Sequence, residues 1–281
     1  MGKREDRSLR IRGGKSVRIG VIGVGKMGGS FVERLIGMDE IEVINIHDKY
    51  RSKMERFVKM EKVRVSKDLK DLFEMSEIIF LAVKPQDFGG VADELKGVNK
   101  DGKILISTMA GVRIERMKKK LGMDKITRIM PNLAVKYGKS VVACSFSDGL
   151  DENEKEKIKK ILRRFGEVIE MDEKMFSAFT AIVGSGPAVV FIFLESIMDS
   201  AIRMGFDYES SKRMAVGMVE GAMEVMKNLN LHPGELKNMV TSPAGTTIEG
   251  VYELEKGCFR GTIMEAFDAM RRRADELLED E

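Results

Sequence analysis

The chain has 281 residues, 43% of them apolar, which is enough for about two domains that each bury a core. Its 48 basic and 45 acidic residues leave a net charge of only +3, so composition gives no footing for a nucleic-acid partner, which needs a clustered basic face. Cys144 and Cys258 lie far apart and outside any paired motif, so neither a metal site nor a disulfide framework is signalled, and a reducing cytoplasm is the expected location.

Residues 1–16, "MGKREDRSLRIRGGKS", form a basic stretch with acids at Glu5 and Asp6 and no apolar core, which reads as a disordered tail and not as a secretory signal. Over residues 17–173, short β-branched runs alternate with amphipathic stretches: "VRIGVIG", "MGGSFVERLIG", "IEVINIH", "LKDLFEM", "EIIFLAV", "GGVADEL" and "KILIST". Such alternation predicts an α/β, Rossmann-like, doubly wound domain with helices on both faces of a parallel sheet. "ITRIM" and "SVVACSF" extend the sheet; a charged helix at "DENEKEKIKKILRRF" and a strand at "EVIEM" follow. From residue 174 to 281 the apolar residues, many of them Met, recur at helical spacing, which predicts an all-α second domain. The uncharged run from Met175 to Leu194 approaches the length of a membrane span, but "GSGP" interrupts it, so two short buried helices meeting at a turn are expected there.

Between the first strand and the first helix, Gly23, Gly25 and Gly28 stand in the pattern G-x-G-x-x-G. The first suits a tight turn, the second lets backbone approach a pyrophosphate, and the third allows close helix–strand packing. Phosphate charge is then expected at the helix N-terminus, near the amides of Lys26 and Met27. Asp48 lies 20 residues beyond Gly28, where an acid accepts a bond from the ribose 2'-hydroxyl of NAD; Lys49 and Arg51 beside it instead favour the 2'-phosphate of NADP. The two signals conflict, so NADPH or NADH is expected without a choice between them. His47 reads equally as packing or contact. Lys84 and Pro85 in "FLAVKPQ" fall at the carboxyl end of a strand, where open α/β sheets bind ligands.

The chain has two histidines, and no Ser nucleophile elbow at a strand-to-helix turn, so Ser-His-acid hydrolysis is disfavoured. His232, just before Pro233, reads as a helix cap. In the second half, "VGSGPAVVF" (183–191) and "VTSPAGTTIEG" (240–250) resemble motifs of pyrroline-5-carboxylate reductase, as do "AVKP" (82–85), "AG" (110–111), "MPN" (130–132), "HPGELKNMV" (232–240) and "LEKGCFRG" (254–261). The resemblance covers residues 17–278. It implies reduction of L-1-pyrroline-5-carboxylate to L-proline by NADPH or NADH, a helical dimerisation domain, and a homo-oligomer with the dimer as building block, with no nucleic-acid, membrane or metal partner.

Carried over residue by residue, the resemblance places Val83, Lys84, Pro85, Ala110 and Asn132 beside the cofactor. It places the substrate carboxylate against Ser242 and the amides of Gly245, Thr246 and Thr247, expected to be free at the start of a helix, with the Thr247 hydroxyl near the imine nitrogen. Ser185 and Gly186 are expected to flank that site. Leu133, Ala134, Val189 and Ala244 depart from the family pattern, Ala244 standing where a second glycine is common. Two alternatives stay open: a β-hydroxyacid-type dehydrogenase, which needs a catalytic lysine in G-x-x-x-K that "VGSGPAV" lacks, and a non-catalytic NAD(P)-binding regulator.

Overall fold

The structure, a computed structural model, describes residues 16–279, so the reading of the N-terminal tail lies almost wholly outside the described residues. Eight strands form one sheet: β1 (Val17–Ile22), β2 (Ile41–His47), β3 (Val63–Val65), β4 (Ile78–Leu81), β5 (Ile104–Ser107), β6 (Ile126–Met130), β7 (Ser140–Phe146) and β8 (Gly166–Glu170). Their spatial order is β3-β2-β1-β4-β5-β6-β7-β8. All neighbours are parallel except β6 and β7, which pair antiparallel through Ile129 and Cys144. The order reverses between β1 and β4, and this switch point opens a crevice at the carboxyl ends of the strands.

Helices α1 (Lys26–Leu35), α2 (Arg51–Met54), α3 (Leu69–Glu74), α4 (Phe88–Glu94), α5 (Ile114–Leu121) and α6 (Glu152–Leu162) cover the sheet. Strand residues alternate between two apolar clusters, as a period of two requires. Ile78, Phe80, Ile104 and Ile106 pack with α1 and α6, whereas Ile79, Leu81 and Leu105 pack with α3, α4 and α5. Phe31, Phe80 and Phe165 form the centre of the first cluster, with ring centroids 4.7 to 5.9 Å apart. The charge run of α6 is a solvated face: Asp151 and Glu154 make a capping box, and Lys155 and Glu152 pair at 2.7 Å.

The uncharged run after Met175 differs from its expectation of two buried helices meeting at a turn. α7 (Phe176–Phe179) passes through a π-helical turn at Thr180–Ser185 into α8 (Pro187–Arg203), so the helix continues where a break was expected. Glu173–Arg203 is the one helix among the described residues long and apolar enough to cross a membrane. Only its start is buried: Phe176 and Phe179 pack on Met130 and Ala143 of the sheet, while Val190, Phe191 and Ile192 are exposed.

α9 (Tyr208–Leu229), α10 (Pro233–Met239), α11 (Thr246–Lys256) and α12 (Phe259–Glu279) complete the chain. One compact unit takes the described chain through Gly184 and resumes at Ala274; the other is Ser185–Arg273. The apolar start of the long helix, Phe176 and Phe179, packs in the first unit's core.

Candidate active site

The glycine loop follows β1, and each glycine answers to a different neighbour. Gly23 adopts φ +84°, in the left-handed region, and a Cβ there would stand 2.8 Å from the Ala82 carbonyl oxygen. A Cβ on Gly28 would overlap the Gly23 carbonyl oxygen, so this glycine seats α1 against the loop. At Gly25 a Cβ would meet nothing within 4 Å. The chain thus has no packing need for glycine at residue 25, and the open space beside its backbone fits a pyrophosphate. α1 begins there with no side-chain cap and no acid in its first turn, so the amides of Lys26 and Met27 face no competing carboxylate.

These residues line one side of a cleft of about 940 Å³. At the end of β2 the Asp48 carboxylate, 7% exposed, accepts from the Val24 amide at 3.0 Å through Oδ2 and from the Tyr50 amide at 2.9 Å through Oδ1. It therefore braces the glycine loop as well as facing the cleft. Lys49 lines the same corner and donates to Asp87 at 2.7 Å, a bond that holds the Lys49 ammonium above its ordinary pKa. Lys53 stands 3.6 Å from Asp48. His47 also lines the cleft, with Nδ1 3.5 Å from the Ser66 carbonyl.

Val83, Lys84 and Pro85, at the carboxyl end of β4, and Ala110, after β5, face the same cleft. Gly28 and Asn132 are not on its wall. Asn132 lies between the lining residues Pro131 and Leu133 but turns its side chain away: Oδ1 accepts from the Ala134 amide and Nδ2 donates to the Val183 carbonyl, both at 3.0 Å. Val183 is four residues before Pro187, whose ring nitrogen has no proton to give that carbonyl. Asn132 thus gives a side-chain donor to a carbonyl of the π-helical turn just ahead of the proline. Elsewhere in this unit, burial pushes the Cys144 thiol up to about 12, which leaves it a packing group and not a nucleophile.

The second unit holds the other group of expected residues. Ser242–Gly245 is a tight turn with Pro243 at its second position, Ala244 at φ +55° in the third, and the Gly245 amide donating to the Ser242 carbonyl at 3.2 Å. The Gly245 amide is therefore engaged, against the expectation that it is free for a carboxylate. A Cβ on Gly245 would also collide with the Ser242 hydroxyl. α11 starts at Thr246 and Thr247 with no side-chain cap, leaving their amides as unpaired donors at the positive end of the helix. Ser185 ends the π-helical turn and Gly186 stands immediately before Pro187, the first residue of α8. His232 caps α10, its Nδ1 accepting from the Gly234 amide at 3.1 Å.

Over residues 173–277 the chain matches the model for pyrroline-5-carboxylate reductase dimerisation, and over 18–111 that of NADP oxidoreductase, coenzyme F420-dependent. It is 38% identical over 266 residues to a pyrroline-5-carboxylate reductase of Aquifex aeolicus, covering 93% of this chain and 98% of that relative. The chain belongs to the pyrroline-5-carboxylate reductase family. The Arabidopsis thaliana reductase is 34% identical, with 94% and 96% of the two chains covered. Among solved structures, the Plasmodium falciparum reductase with NADP bound superposes with a TM-score of 0.85 at 27% identity, covering 94% of this chain and all of that one. The Coxiella burnetii reductase gives 0.85 at 28% identity, covering 94% and 99%.

Several cleft residues of this family member carry no motif legible in the sequence. Asp87, Gly90, Val91 and Glu94 reach the cleft from the turn after β4 and from α4. The available signal was positional, since every one follows a strand end on the sheet's carboxyl edge.

Proposed function

We propose that this chain reduces L-1-pyrroline-5-carboxylate to L-proline with hydride from NAD(P)H, the closing step of proline synthesis, in the cytoplasm. The observation that carries the proposal is the co-occurrence, in a member of this family, of an unobstructed backbone approach at Gly25 with two uncapped amides at Thr246 and Thr247. Bound NAD(P)H supplies the hydride; the chain supplies binding and orientation. Gly23, Gly25, Lys26 and Met27 hold the pyrophosphate, Gly28 fixes the helix behind it, and Asp48 and Lys49 face the adenosine ribose. Val83, Lys84, Pro85 and Ala110 shape the remaining wall, and Asn132 fixes the loop that carries Pro131 and Leu133.

The substrate is a cyclic imine that bears a carboxylate. Its protonated, pyrrolinium form is electrophilic at the imine carbon, and hydride addition sends the C=N electron pair to nitrogen, which already carries its proton. No general base is required, which agrees with His232 being spent on a helix cap. The amides of Thr246 and Thr247 bind the carboxylate, aided by the helix dipole at about 0.3–1 kcal/mol. The Thr247 hydroxyl bonds near the imine nitrogen. Ser242 closes the pocket, and Ser185 and Gly186 flank it. The functional assembly is a homo-oligomer built from dimers, in which a second copy covers the apolar face of α8.

The test follows the loss of reduced-nicotinamide absorbance with pyrroline-5-carboxylate and either NADPH or NADH, beside a Thr247→Ala variant. Turnover is expected from the wild type, and roughly a ten- to hundredfold fall in kcat/KM from the variant, the worth of one hydrogen bond to a charged group. Absence of turnover with both cofactors, from protein that binds them, would sink the proposal.

A further inference from the structure

Two lysines line the ribose corner of the cleft, and each already has a carboxylate. Lys53 faces Asp48 at 3.6 Å, a carboxylate whose two oxygens also serve the Val24 and Tyr50 amides. Lys49 is held more tightly, at 2.7 Å, by Asp87 from the turn between β4 and α4. Lys49 and Asp87 are 38 residues apart in sequence and both line the cleft, so their bond joins two sides of its wall. With all four ionised, the charges of these paired groups sum to zero.

A neutral ribose and a phosphorylated one meet that corner on different terms. A 2'-hydroxyl can donate to a remaining lone pair of Asp48 and leaves the Lys49–Asp87 bond intact. A 2'-phosphate brings close to two negative charges and needs ammonium donors, and the tightest-held of these is engaged with Asp87. We propose that Asp87 sets the balance between NADH and NADPH by competing with the 2'-phosphate for the ammonium of Lys49. The inference rests on the cleft being the dinucleotide site, and it adds a specificity-determining residue that touches neither the glycine loop nor the reacting atoms.

The side chains of Lys49 and Asp87 are 56% and 34% exposed, so solvent and salt screen the competition and a modest effect is expected. Calorimetric titration of the full chain with NADPH and NADH, and with 2',5'-ADP and 5'-AMP as fragments lacking nicotinamide, reads it without turnover. In Asp87→Asn, which keeps the shape and removes the charge, the preference for the 2'-phosphorylated member of each pair rises about two- to fivefold over wild type. The gain shrinks as salt is raised and disappears in the Lys49→Met, Asp87→Asn double variant. An unchanged preference in Asp87→Asn, or a gain that survives loss of Lys49, overturns the proposal while leaving the cofactor site standing. Wild-type protein that binds none of the four ligands overturns the cofactor reading and this inference together.

Discussion

Ala244 adopts φ +55°, where a Cβ crowds the following carbonyl at a cost of about 1–2 kcal/mol relative to ordinary backbone. The turn demands that conformation, because the Gly245 amide must reach the Ser242 carbonyl to bring Thr246 into its helix-starting position. This is the physical content of the departure noted at residue 244: the backbone keeps the shape a glycine would adopt, with an alanine in it. Ala244→Gly removes the strain but gives the unfolded chain more freedom, worth about 0.5–1 kcal/mol in the opposite direction. The balance predicts a variant more stable by up to about 1.5 kcal/mol, seen as a higher urea midpoint at constant slope. A variant that unfolds earlier than wild type would show that the turn is not strained. Gly245 behaves differently, since its missing Cβ makes room for the Ser242 hydroxyl. Two adjacent small residues thus serve separate ends, one a backbone shape and the other a close approach.

At the scale of elements, the π-helical turn at Thr180–Ser185 depends on a residue some fifty positions away. Asn132 donates to the Val183 carbonyl at 3.0 Å while its own Oδ1 caps the turn Leu133–Tyr137. Asn132→Ala leaves a part-buried carbonyl and an amide unpaired, which predicts a loss of about 1–3 kcal/mol in chemical denaturation. Asn132→Asp keeps the cap to Ala134 but aims a carboxylate at the Val183 oxygen, so it should lose at least as much. Wild-type stability in the aspartate variant would show that the bond to Val183 carries no weight. This coupling explains what the sequence hid. "GSGP" reads as a helix break because a proline ordinarily costs its helix a hydrogen bond. Nothing local reveals that the helix passes through a π-helical turn or that a distant asparagine donates to one of its carbonyls. Gly23 and Gly28 were legible because both sit in the β1–turn–α1 unit, whose glycine spacing is a fixed pattern, although the carbonyl that crowds Gly23 is that of Ala82, after β4. β3 escaped for another reason: three residues, Val63–Val65, are too few to show alternation, whereas α5 did carry a helical signal in Ile114, Met117 and Leu121 at i, i+3 and i+7.

For the whole molecule, apolar surface decides what the chain must meet. No residue of α8 is buried, although it carries Val190, Phe191, Ile192 and Phe193 in succession, and Met214, Met218 and Met223 of α9 are exposed as well. An exposed apolar face of this kind marks an interface. Periodicity announced the helices, but it could not distinguish a face buried within the chain from one buried against another copy, since both require the same side chains. The match of residues 173–277 to a dimerisation domain favours the second. Wild-type protein should then sediment as an oligomer, with a melting temperature that rises with protein concentration. Ile192, 63% exposed in the single chain, is a direct probe. Ile192→Lys forfeits about 1.5–3 kcal/mol of side-chain burial for each copy and places a charge in an apolar seam, so it should shift the protein toward monomer and lower the melting temperature. The covered-face reading would fail if the wild type sediments as a monomer with a concentration-independent melting temperature. It would also fail if the wild type is recovered with membranes, because the 31-residue helix Glu173–Arg203 has the length and composition to serve lipid instead.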